Sequence, residues 1–152
     1  MKFDDLASDR TCVIIGTSVG ALSHAEYTHA AFLEKGSRRI SPYFNSNSIP
    51  SSCATQIGLM FGIHGDLQTI TTACASGTSA IGQAFRAIRH GLYDIAIAGA
   101  SEAPITPLVV ASFCSVGLLS NDNADPQKAC KPFSKNRNGT CLLYTSPSPR
   151  DS

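Results

Sequence analysis

Apolar positions along the chain fall into short runs separated by glycine- and serine-rich breaks, and their period switches between two and about 3.6. Cys12 to Ile15 is an uninterrupted apolar run ending at Gly16, which predicts a short strand. Ser23 to Lys35 places Ala25, Tyr27, Ala31 and Phe32 in a helical pattern, with Gly36 as its stop. Ser41-Pro42 breaks the chain. Asn47 or Ser48 can cap a helix that runs to about Phe61, with Pro50 in its first turn and Gly62 and Gly65 beyond its end. Asp66 to Thr72 alternates and is β-branched, the mark of a strand. Ser76 to His90 is rich in alanine, and its helix carries an apolar stripe of Ala80, Ile81, Ala84, Phe85 and Ile88 before the stop at Gly91. Gly77 and Gly82 in that helix suggest close backbone packing. Asp94 to Ala98 reads as a short apolar strand in a buried central position. A helix over Pro104 to Phe113 and a turn-rich loop over Ser120 to Gln127 follow. Strand and helix alternate without internal repeat, which predicts an α/β layered fold.

Composition narrows the class. The chain has 152 residues, 43% hydrophobic and 15% charged, enough for one domain with a core and too apolar for disorder. A net charge of +1 gives no reason to expect a nucleic-acid or membrane partner. No apolar run reaches the length of about 18 residues that a membrane span needs. Met1 to Arg10 is polar and lacks the apolar segment of a secretory signal. Six cysteines at irregular spacings do not read as a disulfide framework, so a reduced, cytoplasmic protein is expected. The terminal run CLLYTSPSPRDS, Cys141 to Ser152, resembles the translation of a sequencing adapter more than a natural Ser/Pro-rich tail, and is set aside as a cloning or assembly artefact. The sequon Asn138-Gly139-Thr140 lies at that boundary and carries little weight.

Candidate chemistry centres on Cys74, in the run Ile70-Thr71-Thr72-Ala73-Cys74-Ala75-Ser76-Gly77. A free cysteine is most often a small buried apolar residue, and Cys12, Cys53, Cys114 and Cys130 have no motif around them. Cys74 differs, because it falls between a predicted strand and a predicted helix. A helix start favours negative charge, and small neighbours leave a thiol open to substrate, as covalent acyl transfer requires. Other signals are weaker. Gly16 to Gly20, GTSVG, lacks the spacing of nucleotide-binding glycine loops. His24 and His29 are five apart and project about 140° from one another on a helix, unlike paired metal ligands. No Cys-x-x-Cys pair exists, and neither metal nor cofactor is expected. Arg38 and Arg39 form a basic pair before a proline turn, ordinarily a solvated pair. Phe113 ordinarily packs in a core. Glu102, just past a buried strand, must be paired or hydrogen-bonded.

The run TTACASG resembles the nucleophile motif of the β-ketoacyl-(acyl carrier protein) synthases, condensing enzymes of the thiolase-like superfamily. Four further segments resemble that family in the same order: GTSVGAL from Gly16, SRRISPYF from Ser37, GLYDIAIAGASEAPITPL from Gly91, and KPFSKNRNG from Lys131. The resemblance spans about residues 11 to 140. It implies an α/β thiolase-like layered fold, the partial N-terminal half, with a mixed sheet and packed helices; residues 1–10 lead in and 141–152 are the tail. It implies acyl-chain elongation by decarboxylative Claisen condensation, with Cys74 as nucleophile. It further implies Val19 and Phe113 against the acyl chain, Arg38 and Arg39 docking an acidic acyl carrier protein, a structural role for Glu102, and a homodimer. Ser134 and Asn138 stand where the family's PFDxxRDG motif has aspartates, which puts that turn's usual hydrogen bonds in question. The family's two histidine motifs, HGTGT-like and GHxxGA-like, and its GFGG loop do not occur in the 152 residues, and its first strand and helices are missing before residue 11. An internal fragment, inactive by itself, is therefore expected. A thiolase shares the Cys-x-Ser-Gly nucleophile, but the KPFSKNRNG and SRRISPYF segments favour the synthase. A non-catalytic partner subunit is the other alternative, and Cys74 argues against it.

Overall fold

The computed structural model describes residues 8–129 and 131–140. The chain divides into two compact units, residues 1–104 and 105–152. In the first unit the order is β1 (Thr11–Gly16), α1 (Leu22–Lys35), α2 (Phe44–Ser48), α3 (Ser52–Phe61), β2 (Leu67–Ile70), α4 (Ser76–Arg89) and β3 (Ile95–Ala100). The strands form a 3-stranded sheet in the order β2-β1-β3. Both pairings of β1 are parallel, with Val13 opposite Leu67 and Ile97, and Gly16 opposite Ile70 and Ala100. The expected layered α/β arrangement is what these residues form, with its described strands all parallel rather than mixed.

The apolar run of β1 explains its place. Every residue from Thr11 to Gly16 is buried. Cys12 and Ile14 pack with Ala80 and Ala84 of α4 on one face, while Val13 and Ile15 pack with Ala54 of α3 and Ile63 on the other. A strand covered on both faces has no polar side to present, so the alternation disappears from its sequence. The expected buried central position of the Asp94–Ala98 strand is corrected: among the described strands β1 is central, and β3 lies outside it with residues partly buried or, at Ala98 and Ala100, exposed. Apolar composition reports coverage of the faces, whereas strand order is set by the crossover through α4.

Two further expectations change. Ala80, Ala84 and Ala87 of α4 are buried against the sheet, but Ile81 and Phe85 are 57% and 62% exposed. Small residues face the sheet because the helix lies close to it: a Cβ on Gly77 would stand 2.9 Å from that of Ala100. The helix expected from Asn47 or Ser48 is two helices, and Pro50 lies between them rather than in the first turn of either. Ile49 is extended, φ −73° and ψ 141°, as the residue before a proline prefers.

In the second unit, α5 (Pro107–Ser115) begins later than the expected Pro104. Buried Thr106 caps it, its Oγ1 accepting from the Val109 N–H at 3.3 Å, with Pro107 in the first turn. The KPFSKNRNG segment is a turn closed by Ser134, whose Oγ accepts from the Asn136 N–H at 3.1 Å. Gly139, at φ +66°, then lets the Thr140 N–H reach the Leu118 carbonyl at 2.7 Å.

Candidate functional site

Because the strands are parallel and in register, the loops after them leave the same end of the sheet. The Thr17 N–H donates to the Ile70 carbonyl at 3.1 Å, and the Ser101 N–H donates to the Gly16 carbonyl at 3.1 Å. Residues 17–21, 71–75 and 101–104 therefore gather at the carboxyl end of the strands, where open α/β sheets bind ligands. Val19 lies in the first of these loops, Cys74 in the second and Glu102 in the third.

Cys74 is exposed, two residues before α4. The corner is longer than expected because β2 ends at Ile70 rather than Thr72. Ala73 is the single non-glycine residue with positive φ among those described, at +51°, a conformation that costs a side-chain-bearing residue about 1–2 kcal/mol. Hydrogen bonds hold it there. The Ala75 N–H donates to the Thr72 carbonyl and the Ser76 N–H to the Ala73 carbonyl, both at 3.1 Å. The buried Ser76 Oγ accepts from the Thr72 N–H at 2.9 Å and donates to the Ala73 carbonyl at 2.6 Å. Thr72 Oγ1 donates to Ser79 Oγ at 3.0 Å. The first turn of α4 has no side-chain cap.

Glu102 meets the expectation that its carboxylate is hydrogen-bonded. Oε2 accepts from Thr17 Oγ1 at 3.1 Å, from the Val19 N–H at 3.0 Å and from the Ser18 N–H. Thr17 Oγ1 in turn accepts from the Gly20 N–H at 3.2 Å. Convergent amides around one oxygen make this carboxylate a clamp on the 17–20 loop. Beside it opens a cleft of about 270 Å³ whose lining includes Ser23, Asn47, Cys53 and Ser101.

The cysteines no longer divide as expected. Cys12 is fully buried, and burial pushes its thiol pKa up. Cys53 is exposed and sits in the first turn of α3, so Cys74 is not alone in combining access with a helix start. Cys114 is exposed on α5 of the second unit. Cys130 lies outside the described residues. What separates Cys74 from Cys53 is the braced corner and its place at the strand ends.

The remaining candidates are placed as follows. Val19 is 45% exposed, its backbone held by Glu102. Phe113 is partly buried on α5, in the second unit. Arg38 and Arg39 end a short 3-10 turn after α1, both exposed, and neither has an ion pair among the described residues. His24 packs its ring against Phe44, centroids 5.6 Å apart, and His29 is exposed. Among the described residues no group of three or more metal-ligating side chains converges, and no helix is long and apolar enough to cross a membrane. Sequence reasoning missed the left-handed Ala73, the Ser76 brace and the Glu102 clamp. The Thr-x-x-x-Ser spacing from Thr72 to Ser76 hints at the brace; nothing in the sequence marks Ala73.

A parallel α/β sheet with a thiol on a braced strand-to-helix corner is the architecture of a particular class of layered α/β proteins. The profile of the β-ketoacyl synthase N-terminal domain matches residues 1–142, and the chain belongs to this family. The 3-oxoacyl-(acyl-carrier-protein) synthase 2 of Staphylococcus aureus is 37% identical over 139 residues, covering 91% of this chain and 33% of its own length. The chain thus spans about a third of the curated relatives it matches. Among solved structures, a type II polyketide ketosynthase in complex with its acyl-carrier protein superposes with a TM-score of 0.84 at 32% identity, covering 91% of this chain and 36% of its own. A ketosynthase from Xenorhabdus doucetiae, in complex with its chain length factor, superposes with a TM-score of 0.72 at 26% identity, covering 90% of this chain and 33% of its own.

Proposed function

We propose that this chain is the nucleophile-bearing part of a β-ketoacyl-(acyl carrier protein) synthase that elongates acyl chains in fatty-acid or polyketide synthesis. The observation that supports this most is the exposed Cys74 on its braced corner at the carboxyl end of the strands. In this reading the Cys74 thiolate attacks the thioester carbonyl of an acyl carrier protein. The tetrahedral intermediate collapses to an acyl-enzyme, and the phosphopantetheine thiol leaves with a proton. The Cys74 N–H contributes one donor to the oxyanion. A malonyl thioester then loses carbon dioxide, its carbanion attacks the acyl-enzyme carbonyl, and the Cys74 thiolate departs. Val19 and Phe113 contact the acyl chain. No metal or cofactor takes part.

Residues 11–140 form the partial synthase domain in this reading, with residues 1–10 leading in and residues 141–152 as an unrelated tail. Arg38 and Arg39 meet the acidic carrier protein, supported by their exposure and free charge among the described residues. The complete enzyme is a homodimer in the cytoplasm. The free thiols of Cys12, Cys53, Cys74 and Cys114 support a reducing compartment, and recovery of the enzyme from an oxidising compartment would contradict that placement. A single gradient run of the complete enzyme decides the dimer; a monomer removes it.

The test is to incubate the chain with acyl- and malonyl-carrier-protein thioesters, map the adduct by mass and look for β-ketoacyl product. Acylation at Cys74, lost in Cys74→Ala and without multiple turnovers of product, is the expected result. An unmodified Cys74 overturns the nucleophile. Sustained condensation by the chain itself overturns the reading that its partner groups lie elsewhere.

A further inference from the structure

We infer that Ser76 is the positioning residue of the Cys74 site, acting by locking Ala73 in its left-handed conformation. This deepens the proposed function and rests on it. Ser76 is 3% exposed, and its hydroxyl both accepts and donates a hydrogen bond on the chain just before the nucleophile. Its oxygen accepts from the Thr72 N–H and its proton goes to the Ala73 carbonyl. The hydroxyl therefore clips together the peptide groups that enter Thr72 and leave Ala73, spanning the residue at φ +51°. An alanine released from that clip relaxes toward negative φ, which turns the following peptide and the Cα–Cβ bond of Cys74 with it. A plain helix-capping role is a poor description. Ser76 is itself the first residue of α4, and its hydroxyl points back to residues 72 and 73 instead of forward to an amide of the first turn. Thr72 Oγ1, bonded to Ser79, ties the same segment to the next turn of the helix.

Three cysteines of the chain make the test internal. A neutral haloacetamide is applied briefly, and the labelling rate of each cysteine is read by peptide mapping. Buried Cys12 reports global opening, Cys53 is an exposed control at another helix start, and Cys74 is the probe. In Ser76→Ala the rate at Cys74 relative to Cys53 falls about fivefold, the scale of losing a buried hydrogen bond, while Cys12 stays unlabelled. Adding Ala73→Gly, which takes the left-handed conformation freely, restores most of that ratio, which a general loss of helix stability would not allow. An unchanged ratio in Ser76→Ala, or a loss that Ala73→Gly does not repair, overturns the positioning role. If Ser76→Ala opens the fold and labels Cys12, the decision passes to Ala73→Val, which keeps the hydroxyl and opposes the conformation. A lowered Cys74 rate there supports the inference, and an unchanged one overturns it. No acyl transfer enters these measurements, so a chain that shows the pattern and takes no acyl group keeps the positioning role and loses the acyltransferase.

Discussion

Gly16 has no room for a side chain, since a Cβ there would stand 2.7 Å from the backbone nitrogen of Gly77. Gly16→Ala pushes the end of the central strand off the start of α4 and should cost about 1–3 kcal/mol in denaturant unfolding. Asp94 offers a test by pH. Its carboxylate pairs with the Arg10 guanidinium at 2.8 Å, and that hydrogen bond holds its pKa below the ordinary 3.8. A depressed folded pKa means stability present above 3.8 and lost as pH falls through the lower folded value. Asp94→Asn should therefore be less stable than the parent at neutral pH, with the difference closing in parallel unfolding curves as pH falls through the lowered folded value. Cys74 was legible because small residues and a change of period surround it. Ala73 was not, because an alanine carries no sign of its own dihedral; the brace that enforces it comes from a side chain in the next element.

The elements repeat that division. Strands and helices with strong periods were placed within a few residues, because burial of one face or both fixes the spacing of apolar positions. The break at Pro50 was missed because a proline that opens a helix and one that separates two look alike until the preceding Ile49 is seen to be extended. The central position of β1 was missed because order in a parallel sheet is a property of crossovers rather than of any strand. The 17–20 loop gives the prediction at this scale. Glu102 holds its amides from the end of another strand, so Glu102→Ala should speed hydrogen exchange of the Ser18 and Val19 amides about tenfold or more, while amides of β1 exchange as before. Unaltered exchange at Ser18 and Val19 would mean that the loop holds itself.

For the molecule as a whole, α4 is the telling part. Its alanines face the sheet while Ile81, Phe85 and Ile88, at 57%, 62% and 39% exposure, run along its outer side. A helix that is apolar on both sides belongs inside a larger body, which agrees with a chain covering 33% of the synthase it resembles. The stripe itself was legible; which half of it faces the sheet was not, because that follows from how closely Gly77 lets the helix approach. Taken by itself, the chain should self-associate at micromolar concentration, and Phe85→Glu should shift it toward monomer in light scattering without loss of helix content. A monodisperse monomer in the parent chain would remove the argument.

The order β2-β1-β3 also sets a timetable. Among the described strands the most buried comes earliest in the chain, and its neighbours begin only at Leu67 and Ile95. At about 5–20 residues per second, the ribosome has carried β1 for roughly 4–17 s before β3 emerges to close its second edge. Throughout that interval Cys12 to Ile15 is an apolar segment with at least one open edge, since Leu67 to Ile70 can cover only the other, and such a segment is a natural client for a chaperone that holds nascent polypeptides. Protease resistance of stalled nascent chains should accordingly stay low until Ala100 has cleared the exit tunnel, and then rise in one step.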